Sequence, residues 1–419
     1  MSPSPHFSYR HGTLHCEGVS LARLVDAVGT PAYVYSRAVM LESYAAYETA
    51  FRELPHLICY ALKANSNLGV IAALARAGAG ADIVSGGELQ RALRAGVPPK
   101  KIIFSGIGKT RDEMREALKA DILMFNVESL SELRVLDEVA REMSTRAPVA
   151  LRVNPDVDPL THRYVATGLS TSKFGVPYAQ VLAAYEEAAQ RPGLQVLGVQ
   201  MHIGSQLTTS APFADATARL GALVKTLRER HIEISMLDVG GGLGIRYRDE
   251  TPPSHAEYAT VLMPALRELG VTVLLEPGRS IVGNAGALLT RVLYHKATDT
   301  KKFVVVDAAM NDLIRPALYD SYHEILPVAA PRAGATKEIA DVVGPICESG
   351  DFFAKDRELI QPDEGDLVAL MSAGAYGFVM ASNYNTRPRP VEVLVDGDRY
   401  TIVRRRETFE DLVAGETTV

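Results

Sequence analysis

The sequence predicts a (β/α)8 barrel followed by an all-β domain. From about residue 57, short apolar runs rich in β-branched residues alternate with longer stretches of helical spacing. Polar residues stand at the ends of many of these runs, and barrel enzymes assemble their sites from the C-terminal ends of several strands. After about residue 285 the helical periods become scarce and short strand-like runs dominate.

Eight strand-like runs lie in the first region. They are LICYALK ending at Lys63, ADIV ending at Val84, KIIFS ending at Ser105, ILMFN ending at Asn126, VALRVN ending at Asn154, LGVQMH ending at His202, MLDV ending at Val239 and TVLLE ending at Glu276. Helical patterns between them include residues 86–95, 128–143 and 213–230. An open doubly wound sheet is the alternative, but the strand count and the polar strand ends favour the barrel.

The second region predicts a β-domain. Its strand-like runs are ALLTRVLYH, KFVVVDAA, DLVALMS, PVEVLVDG and YTIVRRR, and turn residues such as those at 396–398 separate them. The first thirty residues contain similar short segments, for example at 13–16. We therefore expect a barrel over residues 32–283 and a β-domain formed by residues 1–31 together with 284–419.

Composition excludes several classes of protein. The 419 residues are 47% apolar, which is enough for sizeable cores, and carry a formal net charge of −6. Without a basic excess, nucleic acid is not expected as a partner. The N-terminus lacks the pattern of a signal peptide, and the apolar runs are too short to span a bilayer, so we expect a cytoplasmic protein with no membrane partner. The spacing of the three cysteines fits neither disulfides nor a metal site.

Lys63 ends the first predicted strand, in the segment YALKAN (60–65). A lone lysine at such a place is most often a surface residue whose stem lies along apolar neighbours. In a cleft that excludes water, however, desolvation lowers a lysine pKa and makes the amine a usable nucleophile. Lys63 is therefore a candidate that depends on its surroundings.

A glycine cluster, DVGGGLG (238–244), follows the seventh predicted strand. Consecutive glycines let the backbone approach an anion and direct N–H groups at it. The loops after strands seven and eight of barrels often hold a phosphate. A merely tight turn is the alternative, and no Gly-Lys-Ser/Thr follows that would make this a nucleotide-binding P-loop.

The eighth predicted strand ends in EPGR (276–279). A buried Glu276 requires a partner. One interpretation is an ion pair with Arg279. In the other, Glu276 binds a protonated ring nitrogen of a cofactor, and Arg279 binds a phosphate or a substrate carboxylate.

The sixth predicted strand ends in HIGSQ (202–206). A strand-end histidine is more often structural than catalytic. Here the flat ring of His202 could stack on a cofactor, and Ser205 could bind its phosphate.

These motifs occur together and in one order. The chain resembles the fold-type III pyridoxal-phosphate decarboxylases, the family of ornithine and diaminopimelate decarboxylases, over nearly its whole length. The motifs that carry the resemblance are YALKAN, SGGEL, SKFG, HIGSQ, DVGGGLG, EPGR, RPALY, CESGD and AGAY.

The resemblance implies pyridoxal 5′-phosphate as the cofactor, with Lys63 as the Schiff-base lysine. It implies that His202 lies on the cofactor ring and that Glu276 is the partner of the pyridine nitrogen. Asp82 and Glu88, in ADIVSGGEL, are supporting candidates. The implied phosphate and cofactor contacts are Ser205, Gly241, Gly242, Glu276, Pro277, Gly278, Arg279 and Tyr376.

The resemblance also implies roles for the second half of the chain. Cys347 is implied to be a proton donor, and polar turn residues around it argue against a buried, inert thiol. The cysteine, the following glutamate and a tyrosine of AGAY cross a dimer interface in the family, so a homodimer with shared sites is expected. The implied substrate contacts are Arg279, Arg315, Tyr319, Glu348 and Tyr376.

The expected reaction is decarboxylation of meso-2,6-diaminopimelate to L-lysine. The distal end of this substrate carries an ammonium, which suits Glu348, and a carboxylate, which suits Arg279 and Arg315. A diamine precursor such as ornithine would leave buried arginines unpaired at a cost of several kcal/mol. Three alternatives stay open: a related decarboxylase acting on ornithine, arginine, lysine or carboxynorspermidine; an amino-acid racemase; and a non-enzymatic relative resembling an antizyme inhibitor.

Overall fold

The structure is a computed structural model, and it describes residues 6–155, 157, 173–331 and 334–419. The chain divides into two compact units. We call the first the sheet unit; it contains Met1–Met40, Arg246–Glu250 and Ile281–Val419. The second, the barrel unit, contains Leu41–Ile245 and Thr251–Ser280. The predicted motif SKFG begins at Ser172, which lies outside the described residues.

The sheet unit begins with a small antiparallel meander. Its strands are β1 (Phe7–Arg10), β2 (Thr13–Cys16) and β3 (Val19–Ser20), and they are followed by α1 (Leu21–Val28) and by β4 (Ala32–Ser36), which belongs to a larger sheet. The buried carboxylate of Glu17 accepts from Ser36 Oγ at 2.6 Å and from the N–H of Gly397 at 2.6 Å. Glu17 thereby joins the start of the chain to the C-terminal part of the same unit.

The barrel unit contains the predicted (β/α)8 barrel. Its strands are β5 (His56–Ala61), β6 (Gly80–Ile83), β7 (Ile102–Phe104), β8 (Met124–Val127), β9 (Ala147–Asn154), β11 (Leu194–Gln200), β12 (Met236–Asp238) and β13 (Thr272–Leu275), with a short β10 (Val176–Pro177) beside β9. All neighbouring pairs are parallel, β13 pairs with β5, and β8 pairs with β9, so the ring is closed. The eight predicted strands are confirmed within a few residues.

Helices alternate with these strands along the chain. They are α2 (Arg37–Phe51), α3 (Leu68–Ala77), α4 (Gly86–Arg94), α5 (Arg111–Lys119), α6 (Leu130–Glu142), α7 (Val181–Gln190), α8 (Ala211–Glu229), α9 (His255–Leu269) and α10 (Arg279–Val282). Several start at a Ser or Thr whose side chain accepts the N–H of a glutamate in the first helical turn, the pattern of an N-cap. The capping residues are Ser85, Thr110, Ser129 and Ser254.

An apolar cluster lines the strands of the barrel and closes its interior. Its buried members are Cys59, Ile103, Met124, Ala150 and Leu274. Because these side chains fill the middle of the ring, polar residues at the C-terminal strand ends lie at one mouth of the barrel. The site is built there.

The C-terminal part of the sheet unit is the predicted β-domain. It contains β14 (Gly286–Ala297), β15 (Lys302–Val306), α11 (Arg315–Tyr319), β16 (Ile325–Pro327), β17 (Lys337–Val343), β18 (Phe352–Ile360), β19 (Leu367–Leu370), β20 (Val391–Asp396), β21 (Arg399–Arg404) and α12 (Phe409–Val413). Strand β4 lies between β14 and β20 in this sheet.

The domain boundary therefore differs from the predicted one. Residues 32–40 were expected in the barrel, but the structure places them in the sheet unit, and it also adds Arg246–Glu250 to that unit. The run AYVYS in β4 is buried along its whole length, because it pairs with a strand on each side. A strand that is buried along its whole length has the same apolar sequence pattern in a barrel as in the sheet unit, so its sequence does not show which of the two it joins.

Among the described residues, no helix has both the length and the apolar character needed to cross a membrane.

Candidate active site

Lys63 lies at the mouth of the barrel. Strand β5 ends at Ala61, and a single 3-10 turn, Leu62–Ala64, carries the lysine just beyond it. Its Nζ donates to Oδ2 of Asp82 at 2.6 Å, and its side chain is 33% exposed. The amine is thus held by a buried carboxylate yet accessible, which differs from a surface lysine whose ammonium extends into water.

Asp82 occupies the next strand end, within β6. Its side chain is fully buried, and its Oδ1 has no hydrogen-bond partner among the residues the structure describes. Glu88, the other supporting candidate, accepts from the N–H of Val84 at 2.7 Å, and burial raises the pKa of Glu88 to about 7. Asp82 is therefore the residue that directly positions Lys63.

Glu276 follows β13 and is 3% exposed. Its Oε1 accepts from Ser105 Oγ at 3.1 Å and from Asn126 Nδ2 at 3.1 Å. Gln200 Nε2 lies 3.3 Å from Oε2, and Asn126 Nδ2 also donates to Oδ2 of Asp238 at 3.0 Å. Burial, followed by the charge of Asp238, raises the pKa of Glu276 well above its usual range.

The ion pair between Glu276 and Arg279 does not form. Arg279 instead donates from Nη2 to Ser205 Oγ at 3.1 Å. Glu276 is bound by residues from the ends of β7, β8 and β11. The carboxyl group of Glu276 and the guanidinium of Arg279 therefore bind different partners at the barrel mouth.

His202 presents a neutral ring. The N–H of Gly241 donates to Nδ1 of His202 at 3.2 Å, which leaves the hydrogen of a neutral imidazole on Nε2. Burial, together with the charges of Arg152 and Lys63, lowers the pKa of His202 well below its usual value. The 4.0 Å separation between His202 Nδ1 and Glu276 Oε2 is therefore not an ion pair.

The glycine cluster is packed against the two neighbouring loops. A Cβ added at Gly241 would lie 2.3 Å from the carbonyl oxygen of Glu276, and one added at Gly242 would lie 2.4 Å from that of Gly204. Gly242 also has a φ of 110°, which disfavours other residues. Only glycine lets the loops after β11, β12 and β13 meet with backbone groups this close.

Arg315 in the sheet unit is buried and preoriented. It donates from Nη1 to His323 Nε2 at 3.0 Å and from Nη2 to Ser321 Oγ at 3.2 Å. Its guanidinium carbon lies 4.7 Å from the ring centroid of Tyr247. Tyr319 ends the same short helix and is half-buried.

Cys347 and Glu348 are exposed on a turn of the sheet unit. The carboxylate of Asp351 shapes this turn by accepting from the N–H of Ile346 at 2.7 Å, and Asn385 accepts from the N–H of Cys347 at 2.9 Å. The thiol is thus exposed on a turn whose backbone is held by hydrogen bonds.

Tyr376 has a φ of 55°, an uncommon conformation for a residue with a side chain. Two residues earlier, the backbone at Gly374 passes so close to Val282 that a Cβ there would lie 1.9 Å from the carbonyl oxygen of Val282. Backbone held in this region is often found where a side chain serves a site.

Sequence reasoning missed much of the surroundings of Glu276. Ser105 and Asn126 stand at predicted strand ends, so their positions were visible, but their joint contact with the carboxyl group of Glu276 was not. Gln200 lies inside the predicted strand LGVQMH and was not recognised as a partner of Glu276. The signal that could have found them is a polar residue in the last positions of an otherwise apolar barrel strand.

Comparisons with known proteins agree with this geometry. Residues 37–283 match the family model described as "Pyridoxal-dependent decarboxylase, pyridoxal binding domain". The chain is 56% identical over 411 residues to diaminopimelate decarboxylase of Pseudomonas aeruginosa, covering 98% of both proteins. The chain belongs to the diaminopimelate decarboxylase family. As a member of this family, it is a decarboxylase that uses pyridoxal phosphate.

Two solved diaminopimelate decarboxylases share the fold of the chain. The crystal structure of the enzyme from "m. jannaschi" has a TM-score of 0.95 at 38% identity and covers 100% of this chain and 99% of its own. The Helicobacter pylori enzyme complexed with L-lysine has a TM-score of 0.91 at 42% identity and covers 94% of this chain and 98% of its own.

The residues of the barrel mouth fit pyridoxal phosphate. The glycine loop brings backbone groups close to Ser205, where Arg279 is also bound, and this combination suits a phosphate. The buried Oδ1 of Asp82 without a partner among the described residues indicates a polar neighbour beside Lys63. The mouth of the barrel thus carries the amine of Lys63, the neutral ring of His202 and the buried carboxyl group of Glu276.

We expect Lys63→Ala to remove covalent cofactor attachment and to lower turnover by at least about 10³-fold, because Lys63 supplies the amine that contacts Asp82. Cofactor remaining after gel filtration, followed by its absorbance, checks the first effect. Lys100→Ala is the control, since Lys100 is 62% exposed and pairs with Asp121 on the surface. Equal cofactor retention in both variants would contradict the assignment of Lys63.

Proposed function

We propose that the protein decarboxylates meso-2,6-diaminopimelate to L-lysine and carbon dioxide. The observation that carries the proposal is the 56% identity, across 98% of both chains, to a protein named diaminopimelate decarboxylase. The Helicobacter pylori relative that bears this name was solved with L-lysine, the expected product. The buried arginine and the exposed glutamate of the sheet unit give independent chemical support.

Within the barrel, Lys63 holds the cofactor and Asp82 keeps its amine at the mouth. His202, being neutral, lies against the cofactor ring without adding charge. Glu276 faces the ring nitrogen. When bound, pyridoxal phosphate supplies the electron sink that accepts the electron pair left by the departing carboxylate.

The cofactor phosphate is held by the glycine loop and the loop that follows β13. Ser205 offers a hydroxyl, and Arg279 a guanidinium already directed to that hydroxyl at 3.1 Å. The backbone N–H groups of this cradle come from Gly241, Gly242 and the segment 276–279. These groups bind and orient the cofactor and exclude water from its phosphate.

Substrate selection is assigned to the sheet unit. Arg315, with Tyr319, binds the distal carboxylate, and its guanidinium is preoriented by His323, so little side-chain entropy is lost on binding. Glu348 binds the distal ammonium, Arg279 gives a second cationic contact, and Tyr376 contacts cofactor and substrate. A substrate without the distal carboxylate would not offer Arg315 an anionic acceptor for charge-assisted hydrogen bonds.

Cys347 is the proposed proton donor to the carbon that loses the carboxylate. Its exposure on a firmly held turn suits a thiol that enters the active site of a second chain. We therefore propose a homodimer with shared sites, in which Glu348 and Tyr376 cross the interface with it. The protein acts in the cytoplasm in this proposal.

The alternatives are less well supported. An amino-acid racemase of the related fold places an arginine at the ring nitrogen, whereas this chain has Glu276. A non-enzymatic relative would lack cofactor residues, yet Lys63, Gly242 and Glu276 are all present. A related decarboxylase for ornithine, arginine, lysine or carboxynorspermidine is disfavoured by the full-length identity to diaminopimelate decarboxylases.

The substrate is tested by carbon dioxide release. With pyridoxal phosphate added, we expect kcat/KM for meso-diaminopimelate to exceed that for ornithine, arginine or lysine by at least about 10³-fold, since a missing partner for a buried charge costs several kcal/mol. Faster release from any of the other three amino acids would overturn the proposed substrate while leaving the family assignment intact.

The Cys347→Ala variant should keep its cofactor but lose about 10²- to 10⁴-fold in turnover, the usual contribution of a positioned proton donor. Ser349→Ala, on the same exposed turn, is the matched control and should stay near wild type. Cofactor absorbance and product formation are measured on both. Unchanged turnover in Cys347→Ala would contradict the proposed role of this thiol as a proton donor.

A further inference from the structure

Lys109 is a buried lysine of the barrel unit to which the proposed reaction gives no task. It directly precedes Thr110, the N-cap of α5, and its side chain is 0% exposed. Its Nζ donates to the carbonyl oxygens of Gly106 and Asn126, each at 2.7 Å. It also donates to Oε1 of Glu132 at 2.8 Å. An ammonium group has three N–H donors, so each of them is used here.

Two of these bonds join the strand-end loops that follow β7 and β8. The parallel pairing of β7 with β8 extends as far as Phe125 on β8. Just beyond it, the ammonium of Lys109 binds one carbonyl group from each loop, that of Gly106 after β7 and that of Asn126 at the end of β8. Lys109 thereby fixes the distance between the two loops where strand pairing no longer does.

The same two loops supply hydrogen-bond donors to Glu276. Ser105, next to Gly106, donates from Oγ to Oε1 of Glu276 at 3.1 Å, and Asn126 donates from Nδ2 to the same oxygen at 3.1 Å. Asn126 Nδ2 also lies 3.1 Å from Ser105 Oγ. Because Glu276 is 3% exposed, the direction of its carboxyl group depends on protein donors such as these. Lys109 therefore holds the backbone beside the side chains that orient Glu276.

We propose that Lys109 is a positioning residue for Glu276, acting through Ser105 and Asn126. This role depends on the one proposed above for Glu276, at the ring nitrogen of the cofactor. In it, Lys109 touches neither cofactor nor substrate. Its ammonium sets the place of two donors, and the donors set the place of the carboxyl group.

The alternative is that Lys109 only completes the start of α6. In α5 and α9, the glutamate of the first turn reaches back to the backbone of the N-cap residue, as in an ordinary capping box. In α6, the N-cap Ser129 accepts from the N–H of Glu132 at 3.2 Å, but the Glu132 carboxylate binds the N–H of Glu128 at 3.0 Å and the ammonium of Lys109. Glu132 thus departs from the capping box and holds the lysine.

Stability alone does not explain the buried pair. Lys109 and Glu132 both lose their hydration, and apolar residues of similar volume in place of such a pair are often equally stable. Apolar side chains could not, however, donate to the carbonyl groups of Gly106 and Asn126. The feature that requires a lysine is therefore the connection between the two loops.

The test uses the full-length enzyme loaded with pyridoxal phosphate that carries ¹⁵N in its ring. The ¹⁵N resonance of the ring reports the hydrogen bond and the proton at that nitrogen. We expect Lys109→Met to move this resonance from its wild-type position toward that of Glu276→Gln. We also expect kcat to fall by about 10- to 100-fold, because a small misplacement in a site can cost about 10²-fold. KM should stay close to wild type, since Arg315 and Glu348, the proposed contacts of the distal substrate end, make no contact with Lys109.

A second variant covers a loss of folding in Lys109→Met, which would leave the buried Glu132 without its cation. Lys109→Met combined with Glu132→Met removes the whole pair and fills its volume with apolar atoms. It should displace the ring resonance in the same direction. The two substitutions should also add less displacement to Asn126→Ala than to wild type, because Lys109 acts through Asn126.

Arg191→Met is the matched control. Nη1 of Arg191 lies 3.3 Å from Oδ2 of the buried Asp137 in the same unit, so this variant also takes a cation from a buried carboxylate. It should leave the ring resonance at its wild-type position. A wild-type resonance in both Lys109 variants, with a displaced one in Glu276→Gln, would overturn the role of Lys109 alone. An undisplaced resonance in Glu276→Gln would overturn the roles of both residues.

Discussion

The burial of three carboxyl groups around one amine is the constraint on which the site depends. Asp82, Asp238 and Glu276 are nearly inaccessible, and Lys63 lies against the first of them. Each buried charge costs several kcal/mol unless it is paired, hydrogen-bonded or protonated. The molecule meets this cost with a short ion pair between Lys63 and Asp82 and with hydrogen-bond donors from neighbouring strand ends.

The closed barrel makes this arrangement possible. Its parallel strands end at one mouth, so side chains far apart in the chain converge: Ser105 and Glu276 are 171 positions apart yet in contact. The glycine loop lets three strand-end loops meet through backbone groups, which leaves the side chains free to define a cofactor site. The sheet unit adds a buried, preoriented Arg315 and an exposed Cys347, two residues whose opposite exposure matches their different proposed tasks.

Much of this could be predicted from sequence, because barrel strands have a strong local pattern and their polar ends are visible. Lys63, His202 and Glu276 were identified in this way, with the family resemblance supplying their roles. The ion pair of Lys63 with Asp82 and the donation of Asn126 to both Asp238 and Glu276 were not predicted, since they depend on the order and register of strands. The domain boundary at β4 was also not predicted, because the sequence of a fully buried strand does not show which sheet it joins.

We propose that the amine beside Asp82 is the one that binds the cofactor. Peptide mapping after borohydride reduction of the wild-type enzyme tests it directly, because reduction fixes the cofactor on the lysine that carries it. The account predicts the added mass on the peptide containing Lys63. Added mass on a peptide with another lysine, or on none while activity is retained, would contradict it.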